Sequence, residues 1–109
     1  KFPDRRLFVL FQPHRYSRTE LCWGEFLIAF DKTAKTLVLD IYPAGEKPLP
    51  GVDGERLARE MKNGKGQYVG RCEGACDALK KTLKNGDVVV SLGAGDVNRF
   101  YDYYKQHAR

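Results

Sequence analysis

Leu7-Phe8-Val9-Leu10-Phe11-Gln12-Pro13-His14-Arg15-Tyr16-Ser17-Arg18-Thr19 is the stretch on which the reading of the fold turns. An apolar run stops at a proline, a histidine and two arginines, and an amphipathic segment begins immediately after them. The run lacks the in–out alternation of a strand with one wet face, so it suits a strand buried on both faces of a parallel sheet. The stretch therefore reads as strand, polar loop, helix. Ser17-Arg18-Thr19-Glu20 has the spacing of a capping box, in which hydroxyl and carboxylate each satisfy an orphaned backbone N–H, and predicts a helix starting near residue 18.

The rest of the chain repeats the pattern. Leu21, Cys22, Trp23, Phe26, Leu27, Ile28, Ala29 and Phe30 give the first helix an apolar face wider than the usual stripe. That width predicts burial against more than the sheet, with Trp23 facing a neighbour outside this chain and Cys22 a small core residue. Thr36 to Ile41 is a second strand, followed by a loop through Tyr42-Pro43-Ala44-Gly45-Glu46 and the proline-rich Lys47 to Val52. Asp53 is placed to cap a helix over Gly54 to Lys62, stopped by Asn63-Gly64. Gln67 to Gly70 is a short third strand, and a helix from Glu73 or Gly74 carries Ala75, Ala78, Leu79 and Leu83 on one face. Asp87 to Leu92 is the fourth strand, and Val97, Phe100, Tyr101 and Tyr104 fall at helical spacing after it. The order is βαβαβαβα. It predicts an α/β, three-layer, Rossmann-like domain with a mainly parallel sheet of about four strands and helices on both faces.

At 109 residues the chain is long enough for one core, so 1–109 reads as a single domain. It opens on Lys1 rather than Met, which reads as a piece of something longer. No apolar run approaches the roughly 20 residues of a membrane span. Cys22, Cys72 and Cys76 fit neither a disulfide framework nor a zinc pattern, so a reducing, cytoplasmic setting and no metal site are expected. Nineteen basic against fourteen acidic residues give a charge of +5. The Lys and Arg are scattered along the chain rather than gathered with aromatics, which argues against nucleic acid.

In a parallel sheet every strand-to-helix loop emerges at one edge, where such sheets hold their ligands. The loops Gln12–Arg18, Tyr42–Val52, Gly70–Gly74 and Gly93–Asp96 are thereby expected on one rim. Arginine offers a planar fork of donors matched to a carboxylate or phosphate. Arg15 and Arg18 at a helix N-terminus oppose its dipole, a conflict that an anion would relieve. His14 suits either a general base or a donor that orients a ligand. Gly93-Ala94-Gly95-Asp96 is either a structural turn or a pocket-lining anion contact; Asn98 stands where a dinucleotide fingerprint needs its third glycine. No Gly-x-x-x-x-Gly-Lys-Ser/Thr pattern is present to hold ATP.

The block His14-Arg15-Tyr16-Ser17-Arg18-Thr19, the segment Asp40-Ile41-Tyr42-Pro43-Ala44-Gly45-Glu46 with Pro48, Gly51 and Val52, and Gly93-Ala94-Gly95-Asp96 occur in the order found in one enzyme family. Together they resemble the C-terminal domain of the Mur ligases of peptidoglycan synthesis, in particular those that add L-alanine to UDP-N-acetylmuramate. The murein-peptide recycling ligases match the first loop less well. The resemblance implies a bacterial, cytoplasmic, three-domain enzyme, with an N-terminal UDP-binding domain and a central domain holding ATP and Mg that are absent here. It implies that His14, Arg15, Arg18 and Tyr16 bind the amino-acid substrate, that Gly93, Ala94, Gly95 and Asp96 line the same pocket, and that the domain closes against the central one. This fragment alone should have no catalytic activity. The family's segment of Asp-Tyr-x-His-His-Pro type, which precedes this first strand, has no counterpart here, so part of the site and one sheet edge are expected to be missing. The rival reading is a free-standing module that binds a small anion without chemistry.

Overall fold

The alternation of apolar strands and amphipathic helices is realised in a computed structural model describing residues 5–93 and 99–107, apart from the side chains of Tyr101, Tyr103, Gln106 and His107. The elements run β1 (Leu7–Gln12), α1 (Tyr16–Leu21), α2 (Trp23–Ala29), β2 (Lys35–Leu39), α3 (Gly54–Glu60), β3 (Gly66–Gly70), α4 (Cys72–Thr82), β4 (Val88–Gly93) and α5 (Phe100–His107). The four strands form one parallel sheet in the order β3-β2-β1-β4. Val97 of the final helical pattern lies outside the described residues.

Because β1 is central, its side chains feed cores on both faces. Phe8 and Leu10 point one way, where they meet Leu37, Leu39, Ala75, Leu79 and Phe100. Val9 and Phe11 point the other way, onto Val38, Leu57, Ala58 and Met61, with Phe26 of α2 and Phe30 at its C-cap closing over Phe11 at ring distances of 5.1 Å. Leu10, Leu39 and Leu57 are fully buried, each contributing about 1.5–3 kcal/mol relative to exposure. Asp53 caps α3 as its position predicts, accepting from the Arg56 amide at 2.7 Å. Below the sheet, Arg6 grips the Asp87 carboxylate through two nitrogens and ties the start of β1 to that of β4.

The first helix departs from expectation. It breaks at Cys22 (φ −98°, ψ 12°) into α1 and α2, and Cys22 is half-buried rather than a core residue. Trp23 does not wait for a neighbour: its Nε1 donates to Glu60 at 3.0 Å, and the Arg56 guanidinium lies over its ring. The apolar surplus sits instead on Leu21, 85% exposed, and Ile28, 56% exposed. β4 is an edge strand whose Val89, Val90 and Leu92 are each more than a third exposed. None of the described helices is long and apolar enough to cross a membrane.

Candidate functional site

The site begins where β1 runs out. Pro13 has no N–H to give, but its carbonyl accepts from the Tyr42 amide at 2.9 Å, and the Arg15 amide donates to the Tyr42 carbonyl at 2.7 Å. These bonds make a further parallel bridge between His14 and Tyr42, whose rings stack at 5.9 Å. The loop that follows β1 is thus zipped to the loop that follows β2. Gln12, buried at the end of β1, adds a bond from Nε2 to the Asp40 carbonyl at 3.0 Å.

Arg15 is the N-cap of α1 and adopts φ 70°, ψ 145°, a region that non-glycine residues occupy at a cost of about 1–3 kcal/mol. Its surroundings hold it there. The Arg15 carbonyl accepts from the Thr19 amide at 3.1 Å and from the Thr19 hydroxyl at 2.6 Å, and Thr19 is wholly buried.

The Ser17–Glu20 capping box does not form, because the helix starts at Tyr16 and Ser17 already lies within its first turn. The acceptor comes from the second loop. Pro43 to Glu46 is a tight turn closed by Glu46 N–H to the Pro43 carbonyl at 3.0 Å, with Ala44 at φ 49° and Gly45 at φ 89°. It delivers the Glu46 carboxylate to Ser17, whose amide donates to Oε1 at 3.0 Å and whose hydroxyl donates to Oε2 at 2.6 Å. The Ser17 hydroxyl, then its amide, hold the Glu46 carboxyl below its ordinary range, with a further pull from Arg15. Part of the negative charge that the arginine pair calls for is therefore internal.

His14, Arg15 and Arg18 meet around one open cavity of about 640 Å³, walled also by Ser17, Leu21 and Cys22. Among the described residues neither Arg15 nor Arg18 has an ion-pair partner. Tyr16 starts α1, half-buried, and is not part of the cavity wall. Gly93 reaches the same rim by pairing with Gln12. At φ 123°, with an added Cβ falling 2.2 Å from the Gln12 carbonyl oxygen, only glycine fits there. Ala94, Gly95 and Asp96 lie outside the described residues.

Two features of the rim escape a reading of the sequence. Glu46 as the cap of α1 is one. The other is Tyr68 in the middle of β3, whose hydroxyl donates to the Asp40 carboxylate; that bond and partial burial push the phenol up to about 12. Both pairs join residues nearly thirty positions apart, and no local pattern signals them. The three cysteines form no disulfide with one another; burial pushes the Cys76 thiol up. No metal-holding cluster of His, Cys, Asp or Glu exists among the described residues.

The cavity thus offers two guanidinium groups, neither ion-paired among the described residues, and an imidazole at the carboxyl ends of a parallel sheet. That arrangement suits a carboxylate or phosphoryl oxygen held in two places.

No family model matches the chain. Curated relatives do. The chain is 54% identical over 96 residues to UDP-N-acetylmuramate–L-alanine ligase of Bdellovibrio bacteriovorus, covering 88% of this chain and 21% of that protein. It is 45% identical over 106 residues to the ligase of the same name from Nitratidesulfovibrio vulgaris, covering 94% and 23%. With that of Desulfatibacillum aliphaticivorans the identity is 46% over 101 residues, covering 90% and 22%. The chain spans about a fifth of the length of the curated relatives it matches. Likeness of this degree along nearly all of the chain makes it a homologue of a domain-sized part of the UDP-N-acetylmuramate–L-alanine ligases, and with them of the Mur ligase family.

Proposed function

We propose that the chain is the C-terminal domain of a ligase that joins L-alanine to UDP-N-acetylmuramate at the expense of ATP, and that its cationic rim binds the amino-acid substrate. The observation that carries this is the convergence of His14, Arg15 and Arg18, with neither guanidinium ion-paired among the described residues, on one cavity in a chain so closely similar to those ligases. Preorganised donors of this kind count most where negative charge sits or develops. The alanine carboxylate and the anionic reaction intermediate are the groups they fit. Tyr16 flanks the loop, Gly93 ends the strand that pairs beside it, and Ala94, Gly95 and Asp96 come next in sequence.

ATP and Mg belong, in this reading, to the central domain of the full-length enzyme. The described residues offer no cluster that fits a metal ion, and the chain has no phosphate-loop pattern, so no step is assigned to either group here. The domain works against that central domain in the bacterial cytoplasm and is inactive alone. A free-standing anion-binding module and a murein-peptide recycling ligase are less favoured, since the relatives compared all carry the name of the L-alanine ligase.

The test is kinetic. In the full-length protein, Arg15→Ala and Arg18→Ala should each raise KM for L-alanine or lower kcat while leaving UDP-N-acetylmuramate binding intact. Unchanged kinetics in both variants would overturn the assignment.

A further inference from the structure

Glu46 does more at this rim than its distance along the chain suggests. Its carboxylate is not a wall of the cavity, yet both of its oxygens are taken up by Ser17, between Arg15 and Arg18. The turn that presents it is itself unusual, with the non-glycine Ala44 in the left-handed region. Arg15 is likewise left-handed. Two strained residues, one on each loop, are joined by a clamp of two hydrogen bonds and by the backbone pair between Arg15 and Tyr42.

We propose that Glu46 is a positioning residue: by clamping Ser17 it holds Arg15 in its left-handed conformation and keeps the Arg15 and Arg18 side chains at the mouth of one cavity. The chemistry of the pair explains the choice of residue. A backbone N–H can only donate, so Oε1 must accept from it, and the carboxylate offers a second acceptor to the hydroxyl. Glutamine retains one acceptor and turns the second bond round, whereas alanine loses both. Thr19 grips the Arg15 carbonyl from the helix side, so Glu46 supplies the grip from the opposite loop.

This role bears on catalysis only through the amino-acid site proposed above. The two ideas are separated by measuring Glu46→Ala, Glu46→Gln and the parent in parallel, by backbone amide spectra of this chain and by steady-state kinetics of the full-length protein. The amide signals of Arg15 and Arg18, not of Ser17 alone, should move in Glu46→Ala. The kcat/KM for L-alanine should fall about tenfold to a hundredfold, as expected when supporting groups are removed, with UDP-N-acetylmuramate binding unaltered and Glu46→Gln recovering part of the loss. If only the Ser17 signal moves, Glu46 merely caps the helix and the positioning role is wrong. If Arg15 and Arg18 move while the L-alanine kinetics do not, the clamp stands and the amino-acid site falls. Should Glu46→Ala fail to fold, Glu46→Gln is judged by the same signals, with a smaller displacement expected and an unmoved Arg15 overturning the role.

Discussion

Glu46 accepts two hydrogen bonds from Ser17, through the amide at 3.0 Å and the hydroxyl at 2.6 Å, although 29 positions separate them in sequence. The cap of the first helix is thus a tertiary contact, and the conformation of the cationic loop depends on the loop beside it.

One consequence is acid sensitivity. The Glu46 carboxyl is depressed, chiefly by the Ser17 hydroxyl and then the Ser17 amide, with the Arg15 charge adding to it. A carboxyl whose folded value lies below its unfolded one contributes stability above the unfolded pKa, about 4.3 for Glu, and loses it as pH falls through the folded value. The Ser17 amide signal should titrate with a midpoint below that ordinary value, and Glu46→Gln should abolish the step. A midpoint at or above it would count against the clamp.

Arg15→Gly separates stability from function. Glycine occupies φ 70° without steric cost, so removing the strain outweighs the entropy of a freer chain, and the net gain should be about 1 kcal/mol. The same variant removes a guanidinium from the cavity and should weaken L-alanine use. Thermal melting and kinetics together check this: a less stable Arg15→Gly would mean that the backbone there is not strained.

Gly93 and Gly24 should respond oppositely to alanine. At Gly93 the new Cβ lands 2.2 Å from the Gln12 carbonyl oxygen, whereas at Gly24, inside α2, it meets nothing within 4 Å. Gly93→Ala should lower the urea midpoint clearly, and Gly24→Ala should raise stability by up to about 1 kcal/mol.

Burial sets a further contrast. Leu79 is 1% exposed between α4 and the sheet, and Ile28 is 56% exposed. Leu79→Ala should cost about 2–5 kcal/mol by denaturant unfolding, and Ile28→Ala no more than about 0.5 kcal/mol. Equal losses would mean that Ile28 is buried in solution.

What could be read from the chain alone follows from distance along it. The order of strands and helices, the Asp53 cap and the buried faces of α3 and α4 are written in periodicity and in residues three or four apart. The meeting of His14, Arg15 and Arg18 was legible for the same reason, since a single turn presents them. The Glu46 cap, the Trp23–Glu60 bond and the Tyr68–Asp40 pair were not, because each forms only once the sheet has brought remote segments side by side. β4 reads as a strand from its valines, but its place at an edge is a property of topology. The break at Cys22 has no proline or glycine at its own position to announce it.

The bridge between His14 and Tyr42 has a meaning for redesign. It is made by main-chain atoms, with the Pro13, Tyr42 and Arg15 peptide groups continuing the β1–β2 ladder past the last regular strand residue. The loop is a socket moulded in backbone, and its side chains are fittings. Exchanging the group at position 14 leaves the socket's bonds in place, so the choice of bound anion can drift, in evolution or in the laboratory, on an unchanged frame.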